Sequence, residues 1–214
     1  MSNLFYKNTK FNGHIELWDV NNVTDMRGMF AYAAEFNQPI GDWDVSNVID
    51  MSQMFYYSEF NRSISMWDVS NVVNMSDMFH CTKFNEDILN WDVSNVEDMS
   101  WMFAESEFNS DISKWDVSNV ENMSYMFYNS KFNNDISNWD VSNVENMKYM
   151  FANSEFDNNI SKWDVSNVEN MYMMFCCSKF TGDLSKWNVS KAVIKIDMFY
   201  ECPIKAKYKP KFVK

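Results

Sequence analysis

Trp115-Asp116-Val117-Ser118-Asn119-Val120-Glu121-Asn122-Met123-Ser124-Tyr125-Met126-Phe127 is one copy of a unit that recurs along almost the whole chain. Tryptophan followed by Asp or Asn and then Val falls at Trp18, Trp43, Trp67, Trp91, Trp115, Trp139, Trp163 and Trp187, spaced by 25 residues once and by 24 thereafter. A fixed period in the twenties marks a stacked array in which each unit is one coil.

The typical unit reads F-N-x-D-I-S-x-W-D-V-S-N-V-E-N-M-x-x-M-F-x-x-S-x. Counted from the Trp, apolar residues sit at −7 (Phe), −3 (Ile or Leu), 0 (Trp), +2 and +5 (Val), +8 and +11 (Met) and +12 (Phe). The step of two from Trp to Val predicts a short strand, and the spacing at +5, +8, +11 and +12 predicts a short helix. Ser118 and Glu121 fit a capping box at the helix start, as do Ser94 with Glu97, Ser142 with Glu145 and Ser166 with Glu169. One coil cannot bury eight apolar side chains alone, so coils must stack with Trp over Trp and Phe over Phe. The expected architecture is an α/β repeat of about eight coils over residues 1–203.

Composition bounds the function. Apolar residues make up 46% of the chain, with 4 Gly and 3 Pro, and no run of about 18 apolar residues predicts a membrane span. The net charge of −12, with lysines concentrated after Lys205, argues against nucleic-acid binding and for a basic protein partner. Met1 to Lys7 lacks the basic-then-apolar pattern of a secretory leader, which implies a product that stays inside a cell or a leader that was removed. Met1 to Phe5 matches Met123 to Phe127 place for place, so the first coil is open at one side and could stack on a second copy. In the C-terminal segment 204–214, Ile204 to Phe212 alternate, with Ile204, Ala206, Tyr208, Pro210 and Phe212 against four lysines. That pattern reads as a capping strand blunted by Lys and Pro, or as a basic tail.

The pattern Ile-x-x-Trp-x-Val-x-x-Val-x-x-Met-x-x-Met-Phe-x-x-Ser resembles the BspA-type leucine-rich repeats, in the form found in bacterial surface lipoproteins and in proteins of giant DNA viruses. The resemblance covers about Met1 to Phe199. It implies a right-handed leucine-rich-repeat solenoid and a role in surface adhesion or protein binding, on a cell surface or virion. The last unit departs from the pattern, with Ala192 and Lys195 where Val and Met are expected.

Catalytic chemistry is not expected. His14 and His80 lie about three coils apart without a Cys, Ser or carboxylate at matching places, and no Gly-rich phosphate loop occurs, so the chain reads as a non-enzyme with no cofactor and no metal. Cys81 and Cys177 fall four coils apart, too far to bridge, and the four cysteines read as ordinary thiols.

Two surface features are candidates for partner binding. The Asp after each Trp either accepts hydrogen bonds from its own turn, or forms a recognition surface for a basic partner or a row of weak Ca²⁺ contacts. The residue before each Trp points the same way. Asp42, Asp44 and Asp68 stand uncompensated beside Leu17 and Met66 in the first half, whereas Lys114, Lys162 and Lys186 match the acids of the second. Binding is therefore expected around Asp42, Asp44, Met66 and Asp68. The second feature is Trp101, Tyr125, Tyr149 and Met173, all at +10, which form either a binding stripe or packing between coils. The 18 Met, most at fixed core places, read as gap-filling core. The resulting expectation is a protein-binding scaffold; the rival is a structural component of a virion or envelope that assembles through its coil ends.

Overall fold

The computed structural model describes residues 1–212; Val213 and Lys214, at the end of the expected C-terminal segment, lie outside the described residues. Successive units stack as coils, and their backbone bonds show how. Every second amide after the Trp–Val pair donates to the next coil: Met51 to Asn74 O (3.0 Å), Gln53 to Ser76 O (2.8 Å), Phe55 to Met78 O (3.0 Å) and Tyr57 to His80 O (3.0 Å). The intervening amides close four-residue turns within the coil, Met54 to Met51 O (3.2 Å), Tyr56 to Gln53 O (3.1 Å) and Ser58 to Phe55 O (3.0 Å). Two residues per coil, at +10 and +14, take left-handed backbone angles to make this possible, as at Trp101 (φ 60°) and Glu105 (φ 52°) or Tyr125 (φ 59°) and Asn129 (φ 49°). This is the third position of a turn that usually requires glycine. Gly28 alone meets that preference, with φ +58° and Asn3 Oδ1 only 2.3 Å from where a Cβ would stand.

The coil is therefore not the expected strand-plus-helix unit. Among the described residues the one regular element is a three-residue 3₁₀ turn, Ala206–Tyr208, and the coils pair through isolated parallel bridges from Asp25↔Asp50 to Asn170↔Ile194, without a sheet. An α/β leucine-rich-repeat solenoid is overturned by this architecture. The physical reason lies in where the hydrogen bonds go. Inward residues at +8, +11 and +12 satisfy a run of tight turns as well as a helix, and the left-handed residues at +10 and +14 send amides along the stack rather than four residues back. The capping box fails for the same reason. Ser118 N–H donates to Asp116 Oδ1 (3.0 Å), and Glu121 N–H donates to Glu97 O of the preceding coil (2.9 Å).

The inward set is the one the period predicts. Phe, Ile, Trp, Val and Met at the repeated places are buried in one apolar cluster running from Ile15 to Ile204. Like residues lie over like: Phe79 over Phe103 (ring centroids 5.8 Å), Trp115 over Trp139 (6.5 Å, 2° between planes). Polar side chains also bind coil to coil. Each buried indole N–H donates to the carbonyl of the −3 residue one coil back, as from Trp115 to Ile88 (3.0 Å) and Trp139 to Ile112 (3.2 Å). The Asn of F-N accepts the amide of its counterpart in the next coil, as Asn61 does from Asn85 (3.1 Å).

At the C-terminal end Ile204 and Pro210 are buried, and Leu184 N–H donates to Tyr208 O (2.8 Å). The alternation does not continue as an extended strand, because Ala206–Tyr208 turn and Ala206 faces solvent. Among the described residues no helix is long and apolar enough to cross a membrane.

Candidate functional site

The turns within and just after each Met-x-x-Met-Phe bring the +10, +13 and +14 places to one side of the stack, and aromatic residues fill many of them. Tyr6 meets Tyr32 (5.8 Å), Tyr32 meets Tyr56 (5.1 Å), Tyr56 meets His80 (4.9 Å), His80 lies on Trp101 (5.0 Å), and Trp101 lies on Tyr125 (3.8 Å, 9° between planes). Tyr125 then stacks on Tyr149 (4.7 Å), and Tyr149 meets Tyr172 edge-on (5.2 Å). A continuous belt of rings thus follows the stack from Tyr6 to Tyr172. Most of its members are half-buried, and Trp101 and Tyr125 are each stacked between two neighbouring rings. Tyr6, Tyr32, Gln53, Tyr56, Asp77, His80 and Trp101 line an open groove of about 480 Å³ within it.

Two lysines already sit on the belt. Lys148 Nζ stands 5.6 Å from the Tyr125 ring centre and 5.8 Å from that of Tyr149, and Lys7 Nζ stands 5.0 Å from that of Tyr6. Ring faces attract cations at such distances. Burial pushes the Tyr149 phenol up to about 12, and that of Tyr57 is raised to about 12 chiefly by its hydrogen bond to the Cys81 thiol. Burial likewise raises Cys81 to about 11.

The sequence-derived residues divide into two groups. Trp101, Tyr125 and Tyr149 stack directly on one another, so they are at once packing between coils and part of an exposed aromatic surface; Met173 continues their row half-buried. Asp42, Asp44, Met66 and Asp68 point outward on either side of buried Trp43 and Trp67, with Met66 85% exposed, and none of them lines the aromatic groove. Leu17, which holds the place of Asp42 one coil earlier, is 95% exposed. Asp44 and Asp68 are also engaged locally. Asp44 Oδ1 accepts from Ser46 N–H (3.1 Å) and Ser46 Oγ (2.6 Å), and Asp68 Oδ1 from Ser70 in the same way. The Ser46 hydroxyl and amide hold the Asp44 carboxyl below its ordinary value.

Three features escape a reading by single rows. Tyr56, Tyr57, His80 and Tyr128 join the belt from +13 and +14. Glu97, Glu121, Glu145 and Glu169 line an acidic trough of about 550 Å³ with Asn95, Asn119, Asn143 and Asn167, closed by Lys191. The Asn side chains there are committed to the stack, as Asn119 Nδ2 is to Ser94 O (2.7 Å), which leaves the carboxylates as the trough's available groups. In the first half Ile49 and Val73 hold the same place as these Glu. Finally, His80 lies beside Cys81 and Glu105, the latter brought in from the next coil.

These observations define a repeat protein of turn-built coils that carries a continuous outward aromatic surface. The chain belongs to the family described as Mycoplasma protein of unknown function, DUF285, whose profile matches residues 1–80, 56–154 and 104–209. The three overlapping matches follow the repeat itself. No curated protein matches the chain, and no solved structure does.

Proposed function

We propose that the chain is a non-enzymatic scaffold whose aromatic belt binds a basic, partly apolar segment of a partner protein. The observation that carries this reading is the unbroken run of rings from Tyr6 to Tyr172 with Lys148 and Lys7 standing over ring faces. Between those lysines, Tyr32, Tyr56 and Trp101 line the open groove, where a lysine or arginine of a partner would meet aromatic surface. Half-buried Tyr and Trp supply large contact area at little cost in side-chain freedom. The net charge of −12 steers a basic partner toward the surface. Similarity of the repeat to BspA-type proteins supports a surface-adhesion role, which labelling of intact source cells with an antibody to the chain would test.

The experiment for the binding reading is calorimetry against synthetic peptides of graded Lys/Arg and aromatic content, with acidic peptides as controls. Basic peptides should bind, and the double variant Trp101→Ala/Tyr125→Ala should lose at least about tenfold in affinity, since an interface aromatic anchor carries about 2 kcal/mol or more. Equal binding by that variant, or binding no stronger to basic than to acidic peptides, would overturn the reading.

A second reading, assembly through coil ends, is favoured by one observation: Val193, Ile194 and Ile196 of the last coil are exposed. Sedimentation at increasing concentration tests it, and a concentration-independent monomer would exclude it.

A further inference from the structure

The stack gathers three side chains of metal-ligand type beside the belt. A ring nitrogen of His80, Cys81 Sγ and a carboxylate oxygen of Glu105 lie within 4.8 Å of one another, and Cys81 Sγ donates to Glu105 Oε2 at 3.7 Å. We propose that His80, Cys81 and Glu105 form a site for a thiophilic divalent transition-metal ion of the Zn²⁺ type, with Asp77 as the residue that positions His80.

Register brings the three together. Cys81 and Glu105 both occupy +14, one period apart, and the bond from Cys81 N–H to Ala104 O (2.9 Å) holds their coils in line. Both have left-handed backbone, φ 55° and 52°, which turns their side chains toward the same outer face. His80 is fixed from several sides. Its ring packs on Trp101 and Tyr56, and its Nδ1 lies 2.7 Å from Asp77 Oδ1. A carboxylate on one ring nitrogen sets the tautomer and leaves Nε2 as the ligand, the arrangement found behind metal-bound histidines.

The donor set selects the ion. A thiolate with an imidazole and a carboxylate suits Zn²⁺ or Co²⁺ far better than Mg²⁺ or Ca²⁺, which take oxygen ligands. Bonds of about 2.0–2.3 Å would draw the ligand atoms roughly 1 Å closer together than their present limit of 4.8 Å. Glu105 is exposed and free to supply that movement. On binding, the thiol proton passes to solvent and the fourth position is filled by water.

An internal comparison sharpens the assignment. Four coils later the same three places hold Cys176, Cys177 and Glu201, with Cys177 Sγ 3.5 Å from Glu201 Oε2. Met173 stands there where Asp77 stands in the first site, and the two thiols lie 3.4 Å apart against each other. Of these two places, the first alone has an imidazole with an orienting carboxylate.

The test is a titration of the reduced full chain with Co²⁺ alone, followed by displacement with Zn²⁺. One equivalent should give a thiolate-to-cobalt charge-transfer band in the near ultraviolet, lost in Cys81→Ser and kept in the double variant Cys176→Ser/Cys177→Ser. Asp77→Asn should weaken binding by about tenfold, as loss of an orienting partner does. Glu105→Gln, at an exposed position that leaves the fold intact by circular dichroism, should also weaken it by at least about tenfold, like a lost ligand. The proposal is overturned if the wild-type chain gives no thiolate band, if the band survives Cys81→Ser and disappears with Cys176 and Cys177, or if Glu105→Gln binds as tightly as wild type.

Discussion

Trp115 Nε1 donates to the carbonyl oxygen of Ile88, one coil back, at 3.0 Å within the core, and the same bond is made by Trp43, Trp67, Trp91, Trp139, Trp163 and Trp187. The tryptophan therefore ties the stack as well as filling it. A phenylalanine would fill most of the same volume but remove one of the two donors to the Ile88 carbonyl, which keeps the Trp91 amide (3.2 Å), at about 0.5–1.5 kcal/mol, and would open a small void. Trp115→Phe should lower the melting temperature by several degrees. Trp18 is partly exposed and among the described residues makes no such bond, so Trp18→Phe should change it little. Thermal unfolding followed by circular dichroism compares the two, and equal losses would refute the role of the indole donor.

Gln53 holds φ 57° at the third position of its turn with an exposed side chain. Left-handed backbone costs a non-glycine residue roughly 1–2 kcal/mol, and glycine's extra freedom in the unfolded chain returns about 0.4–1 kcal/mol of that. Gln53→Gly should therefore raise stability by up to about 1 kcal/mol, or roughly 2–4 °C in a chain of this size. A lower melting temperature would show that the Gln53 side chain contributes more than its backbone strain costs.

The Ser118 hydroxyl and amide hold the Asp116 carboxyl below its ordinary value of 3.8, and Ser166 does the same for Asp164. Their folded values lie below the unfolded one, so the stabilisation is fully present above about pH 4 and is lost as pH falls through 3.8 toward the folded values. Asp116→Asn/Asp164→Asn keeps an acceptor oxygen but cannot titrate. Its stability should fall less steeply than wild type between pH 4 and lower pH in urea unfolding series. An unchanged acid limb would mean that other carboxylates dominate it.

We propose that residues 204–212 close the last coil, since Ile204 and Pro210 are buried and Leu184 N–H bonds Tyr208 O (2.8 Å). Ending the chain at Cys202 should expose apolar surface and lower the melting temperature or cause aggregation. A monodisperse truncation with an unchanged melting temperature would instead mark the segment as a free basic tail.

The period, the inward residues and the aromatic row at +10 were legible because each depends on which side chain recurs where. The backbone path was not. At +10 and +14 the left-handed conformation is carried by Trp101, Tyr125, Gln53, Cys81 and Glu105, none of which announces a turn as glycine does. Local spacing of Val, Met, Met and Phe fits a helix because inward facing is all that spacing encodes, whereas the choice between bonding four residues back and bonding the next coil is decided by stacking. The cluster at His80 shows the same limit from another side. Cys81 follows His80 directly and Glu105 follows Cys81 by one period of 24, so folding the sequence on its own repeat would have placed them together. Treating the histidines as isolated in linear sequence concealed it.

Bonds between coils reach nearest neighbours, and every neighbour presents the same seam. Excising residues 116–139, one full period, would rejoin Trp115 to Asp140 and restore W-D-V, with Glu145 N–H brought to the Glu97 carbonyl that Glu121 now uses. Chain length in this architecture is thus a heritable variable that unequal recombination can change in whole coils, lengthening or shortening the belt of rings while each junction keeps its geometry. A gene built this way can alter the reach of its product without having to solve the folding problem again.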